Sequence, residues 1–393
     1  MPRRLKGRTF AIALALLGLL PMVSACGTIS RPPLAGARLL STPTKLDAFR
    51  FPADDPKGFL DLYRKVAERR AQLHLDGMRV LALSGGGANG AYGAGLIVGW
   101  TKAGDRPNFD LVTGVSTGAL MAPLVFAGPD WDARLSAAYH DPGLRGLARD
   151  RLTALFQPSL FSSKALKRLA EKYIDGDLLR AISLERDKGR TLLVATTDLD
   201  SQRIIIWDLG AIAASAQEPG HATEALKLFR TVLLASSSIP GVFPPTLIGL
   251  DSEPGRPAEL HVDGTVGAAF FLIPESMALW TPDHAMRPTD MYVIINGKIG
   301  ANYEYTRGAA APVLMRSIDT LGRAQARIEL IAASAFAERS GAPIFVAAVP
   351  THQPANPVDF SGANMGALFD LGERRALSHR AFRPVAHAMD PDD

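Results

Sequence analysis

Phe109-Asp-Leu-Val-Thr-Gly-Val-Ser-Thr-Gly118 reads as a strand that runs straight into a tight turn, and the residues behind it, Ala119 to Phe126, read as an apolar helix. The turn fits G-x-S-x-G with Ser116 at its centre. A strand-turn-helix of this kind lifts the serine oxygen beyond the sheet edge, and glycines at 114 and 118 remove side chains that would clash there. The helix aims its amino end at the serine, so its dipole favours negative charge beside that oxygen. Upstream the same grammar recurs. Met78-Arg-Val-Leu-Ala-Leu83 is an apolar run of strand length that ends in Ser84-Gly85-Gly86-Gly87-Ala88-Asn89-Gly90, and Ala91 to Trp100 then favours helix. Further strands are predicted at Thr191 to Thr196, Arg203 to Trp207, His261-Val262, Tyr292 to Ile295 and Pro343 to Val349. Helices are predicted at Phe59 to Arg70 and Ala310 to Glu338. Strands alternating with helices predict an α/β fold with a mainly parallel sheet covered on both faces.

Composition narrows the chemistry. The chain has 393 residues, 47% hydrophobic and 21% charged, with a single cysteine. One sulfur forms no disulfide within the chain and builds no cysteine-rich metal centre. Its position, Cys26, closes a segment that opens on Arg3, Arg4, Lys6 and Arg8, continues uncharged from Phe10 to Leu20, and ends Val23-Ser24-Ala25-Cys26. Basic, apolar and small residues in that order make a secretory signal, and the apolar run is short of the roughly 20 residues a permanent span needs. The last four residues resemble a bacterial lipobox. That resemblance implies cleavage after residue 25, a lipidated Cys26 thiol and an acylated new amino terminus. Gly27 after it resembles the sorting pattern for the outer membrane. Loss of residues 1–25 takes away four of the 43 cations and no anion, leaving 39 against 39. A neutral body gives no electrostatic case for a nucleic-acid partner.

Two further sites complete the pattern. Gly85, Gly87 and Gly90 fit G-x-G-x-x-G, which by itself has two readings. One is a dinucleotide fingerprint with Asp105 or Asp110 on the ribose. The other is a set of exposed backbone N–H groups that receive an oxyanion. The serine turn favours the second, since a dinucleotide site has no use for it. Asp263, in His261-Val-Asp-Gly-Thr265, follows a short apolar stretch and precedes Gly264. An aspartate at a strand end can take a hydroxyl proton or orient the hydroxyl, although Asp-Gly alone is also a common turn.

Together these blocks resemble the patatin-like phospholipases. The resemblance runs over about residues 76–380 and includes Ala235-Ser-Ser-Ser-Ile-Pro-Gly-Val-Phe-Pro-Pro245, Thr197-Asp198-Leu199 and Phe360 to Ala376. It implies a three-layer α/β/α fold and a Ser-Asp dyad: Ser116 as nucleophile, Asp263 as proton acceptor, Gly86 and Gly87 amides as oxyanion hole, an acyl-enzyme, and neither metal nor organic cofactor. It also implies a lipid ester as substrate. Asn89 stands where the family has Arg or Lys, and Thr265 where it has Gly or Ala, which leaves room for altered substrate choice or low activity. The chain then divides into a signal (1–25), a lipid-anchored tether with an N-terminal helix (26–75), a patatin-like domain (76–382) and a frayed tail (383–393). Two other readings stand beside this one. A histidine-triad α/β-hydrolase would draw its base from His284, His352, His379 or His387. A non-catalytic envelope lipoprotein would keep the fold as a binding module.

Overall fold

The computed structural model describes residues 44–147, 163–250, 258–275, 286–301 and 303–389. The signal, Cys26 and His284 lie outside them. The strands are β1 (Arg50–Pro52), β2 (Met78–Leu83), β3 (Leu111–Val115), β4 (Thr191–Asp198), β5 (Arg203–Asp208), β6 (Thr246–Ile248), β7 (Glu259–Asp263), β8 (Pro288–Ile295), β9 (Ile344–Ala348) and β10 (Arg383–Pro384). They join in one sheet of order β1-β5-β4-β3-β2-β8-β9-β10, with β7 branching from β4 and β6 from β7. The five central strands, β4-β3-β2-β8-β9, run parallel. The flanks are antiparallel: β5 on β4, β1 on β5, β7 on β4 and β10 on β9. The mainly parallel sheet is thus its centre, and antiparallel pairings finish it on both sides.

Helices cover the two faces. They are α1 (Pro56–Gln72), α2 (Gly90–Ala103), α3 (Thr117–Ala127), α4 (Asp132–Tyr139), α5 (Ser163–Tyr173), α6 (Gly176–Asp187), α7 (Leu209–Ser215), α8 (Ala222–Ser236), α9 (Ala310–Ser340), α10 (Gly362–Leu377) and α11 (Val385–Ala388). β2 shows why its sequence reads as an apolar run after Arg79. Leu81 and Leu83 pack into the core beneath α2, α3, α8 and α10, while Val80 and Ala82 pack into the opposite core beneath α9. Side chains alternate across a strand, so a strand buried on both faces has no polar position to offer. On the first face α2 and α10 approach backbone to backbone: a Cβ at Gly95 would overlap the Phe369 carbonyl, and one at Gly372 the Tyr92 carbonyl. Among the described residues no helix is long and apolar enough to cross a membrane.

Two expected boundaries shift. The extended stretch from 27 to 56 contributes to the fold at its end, since β1 pairs with β5 and Phe51 is buried against Phe59. The Arg50 guanidinium also forks onto the Glu259 carboxylate of β7. At the other terminus the expected frayed tail is structured through residue 389, with Arg383 paired to Val346 and α11 behind it. Phe382, tilted on Trp100 and edge-on to Tyr292, pins the chain just before β10.

Candidate active site

Ser116 stands between β3 and α3 with φ 56° and ψ −124°, a conformation that costs a non-glycine residue on the order of 1–3 kcal/mol. Neighbouring groups hold it there. Its N–H donates to Ser236 Oγ at 3.0 Å, and that hydroxyl donates onward to the Ala195 carbonyl of β4 at 2.7 Å. On the other side its carbonyl accepts from Ser237 Oγ at 3.3 Å and from the Leu120 N–H at 3.2 Å. The glycines of the turn serve close approach: a Cβ at Gly118 would overlap the Leu83 carbonyl, and one at Gly114 the Gly118 carbonyl.

Strand β7 delivers the carboxylate. Pairing of Asp263 with Thr196 places it beside the end of β3, and Ser116 Oγ donates to its Oδ2 at 2.6 Å. Thr265 reaches back to Oδ1 twice, with its N–H at 2.8 Å and its hydroxyl at 2.7 Å. Complete burial disfavours the charged form and pushes the Asp263 carboxyl up to about 6, against the opposing pull of the Ser116 and Thr265 hydrogen bonds. The result is a carboxylate that is ionised at neutral pH and titrates close to it. Gly264 lets this corner press on β4, where a Cβ would crowd the Ala195 carbonyl.

The glycine loop closes over the serine from β2. Gly85 lies against the Ser116 Cβ and the Thr265 methyl, and Gly90 against Thr117. Gly86 and Gly87 have φ of 157° and 56°, and a side chain on either would strike the backbone of Asn296 or Pro357. Asn296 fixes the loop from β8's end, donating its N–H to Ser84 Oγ at 2.8 Å and its Nδ2 to the Ser84 carbonyl at 2.7 Å. Among the described residues the N–H groups of Gly86 and Gly87 donate to no other group. Asn89 is buried, with its Oδ1 unpartnered among the described residues.

Residues 81–274 match the family model described as patatin-like phospholipase. This stretch is a patatin-like phospholipase domain. It contains Ser116, Asp263, the glycine loop and the Ser236–Ser238 support. The family is one of lipid hydrolases, and the Ser116–Asp263 contact lies within the matched stretch. No curated protein matches the sequence. Among solved structures the chain is similar to VipD from Legionella pneumophila, with 13% identity over 77% of this chain and 67% of that one and a TM-score of 0.36. Human GIVD cytosolic phospholipase A2 aligns at 13% identity over 86% and 64% with a TM-score of 0.34. The type III effector protein ExoU aligns at 16% over 80% and 53% with a TM-score of 0.25. The chain therefore spans less than two thirds of the latter two.

Other residues singled out in the sequence lie apart from the Ser116–Asp263 pair of the patatin-like domain. His261 shares a strand face with Asp263 but turns to Glu259 Oε2 and Thr196 Oγ1, at 3.1 and 3.0 Å, in a buried chain that ends on Trp207 Nε1. Its role is structural. His352 and His387 are exposed, and the exposed His379 pairs with Asp105 at 2.9 Å. Asp110 is held by the buried Arg70 at 2.9 Å and by the Arg79 N–H, so both candidate ribose ligands are spent elsewhere. The described residues hold no cluster of metal-ligating side chains. Sequence reasoning missed what Ser236, Ser237 and Thr265 do. Both serines lie in the Ala235–Pro245 segment, and only the fold shows that they hold the Ser116 turn from both sides.

Proposed function

We propose that the chain hydrolyses lipid esters through a Ser116–Asp263 dyad and an acyl-enzyme. The 2.6 Å contact between Ser116 Oγ and Asp263 Oδ2 carries this reading. As Ser116 Oγ attacks the ester carbonyl carbon, its proton passes to Asp263 and the carbonyl oxygen becomes an oxyanion. The Gly86 and Gly87 N–H groups and the amino end of α3 receive that charge. Collapse expels the alcohol, which leaves with the proton from Asp263. Water then gives a proton to Asp263 and attacks the acyl carbon, and Ser116 recovers its proton as the fatty acid departs. Asp263 has to be ionised to begin, so the rate rises with pH through about 6 and is lost below it.

Support comes from the family match, from the strained serine, and from the absence of any described histidine within hydrogen-bonding distance of either dyad member. A fluorophosphonate probe tests it: labelling is expected in the wild type and not in Ser116→Ala, while hydrolysis disappears in Asp263→Asn. Labelling that persists in Ser116→Ala overturns the reading, and no labelling together with no hydrolysis leaves a binding module instead. The proposed location is the cell envelope, as an outer-membrane lipoprotein acylated at Cys26. Incorporation of an alkyne-bearing palmitate analogue that vanishes in Cys26→Ser checks it.

A further inference from the structure

A cavity of about 870 Å³ lies on the sheet face opposite α2 and α3, between α9 and the segment 264–275 that follows Asp263. Its size falls within the range of small-molecule sites. Ser116 and Asp263 are not part of its lining, but its near end is formed by residues next to those that hold them. Thr265, whose hydroxyl holds Asp263, lines it, as do Ile239 and Pro240, which follow directly on the serines that hold Ser116. From there it runs over Ile204 and Ile206 of β5 and beneath Ile318 and Ile328 of α9. The two polar side chains that α9 turns toward it are already engaged with backbone. Gln325 donates its amide to the Gly267 carbonyl, and Glu329 accepts the N–H groups of Ala269 and Phe270, both at 2.9 Å. Burial pushes the Glu329 carboxyl up to about 8, so α9 presents no full charge to the cavity at neutral pH, and the other carboxylate of the lining, Glu275, is exposed at its edge.

Gly322 is the second observation. It sits inside a 31-residue helix, where glycine costs about 1 kcal/mol relative to alanine, and a Cβ added there would meet nothing within 4 Å. No packing contact requires a glycine at this position. Its missing side chain leaves room in the cavity it lines. Leu321 and Ile328 on the same helix are 70% and 67% exposed at the rim, which makes the mouth apolar as well.

We propose that this cavity binds a single long acyl chain of the lipid ester, entering between Thr265 and α9. The proposal rests on the hydrolase reading above and names the part of the substrate that α9 recognises. An acyl chain suits a deep hydrocarbon-walled space because it gains by leaving water along its whole length and asks for no hydrogen bond inside. The test separates binding from catalysis. Full-length protein carrying Ser116→Ala is titrated with cis-parinaric acid, and palmitate is used to displace it. Gly322→Leu, which fills the space without opposing helix formation, and Ile328→Glu, a change at an exposed rim position, are each expected to weaken binding at least tenfold. With Ser116 intact, Gly322→Leu is expected to lower the ratio of palmitoyl to butyryl ester turnover by a similar factor. Gly322→Ala, adding one methyl, should change either quantity less than threefold. Absence of parinarate binding, or equal binding by the variants, overturns the acyl-chain assignment. Failure of the hydrolase reading shows separately, as butyryl ester left intact by the wild type, and leaves the binding result to judge the cavity.

Discussion

Around Ser116 the polar groups answer one another: Ser236 takes its N–H, Ser237 reaches its carbonyl, and Thr265 holds the carboxylate that holds its hydroxyl. Along α9 the opposite holds, with Leu321 and Ile328 turned to open space and Gly322 contributing nothing at all. The first region is defined by atoms that are present and directional, which fixes a reacting oxygen within fractions of an ångström. The second is defined by room and by hydrocarbon, which suits a flexible chain that has no fixed donors or acceptors. On the two proposals above, reaction type and substrate fit are carried by separate parts of the fold, and each can be altered with little change in the other.

The sharpest way to break that contrast is at the dyad. Ser116→Ala and Asp263→Asn are each expected to lower kcat by about 10⁴-fold or more, read as ester hydrolysis at pH 8. Melting of Asp263→Asn should be unchanged or higher at that pH, since it removes a buried charge. Next comes the support. Ser236→Ala leaves the Ser116 N–H and the Ala195 carbonyl without their shared partner, so a kcat loss of roughly 10- to 100-fold with little change in KM is expected, with about 1–3 kcal/mol of stability lost. An unchanged kcat would show the corner to be no more preorganised than the wall.

Thr265→Val gives a smaller effect with a sign. It removes the hydroxyl that favours the ionised carboxylate and keeps the N–H, so the acid limb of the pH–rate profile moves above about 6, and Thr265→Ser restores it. The slightest effect belongs to α9. Glu329 titrates near 4.5 unfolded and about 8 folded, so the folded chain keeps a proton the unfolded chain has lost, and stability falls as pH rises through that interval. Glu329→Gln should flatten this slope in melting temperature between pH 5 and 8.

The same contrast explains what could be read beforehand. β2 and β3 are legible because burial on both faces leaves mostly apolar residues, and Ser116 is legible because a strained turn tolerates few sequences beside it. The edges were harder. β1 and β10 are three and two residues long, too short for any alternation to show, and they exist through distant contacts such as Arg50 with Glu259 and Phe382 with Trp100. Thr265 reads as a departure from the family pattern, yet its hydroxyl adds a hydrogen bond that glycine or alanine in its place would lack. The cavity has no motif at all, since Gly322 in a helical sequence signals only a weak helix position.

Those short edges have a consequence for how copies of the protein coexist. The main run of strands stops at β1 on one side and β10 on the other, and each of these ends on a proline, Pro52 and Pro384. Proline has no N–H to donate, and a two- or three-residue strand offers little length for another chain to zip onto. The sheet is thereby a poor template for edge-to-edge polymerisation. That matters most where molecules are crowded in two dimensions, as an acyl anchor at Cys26 would crowd them.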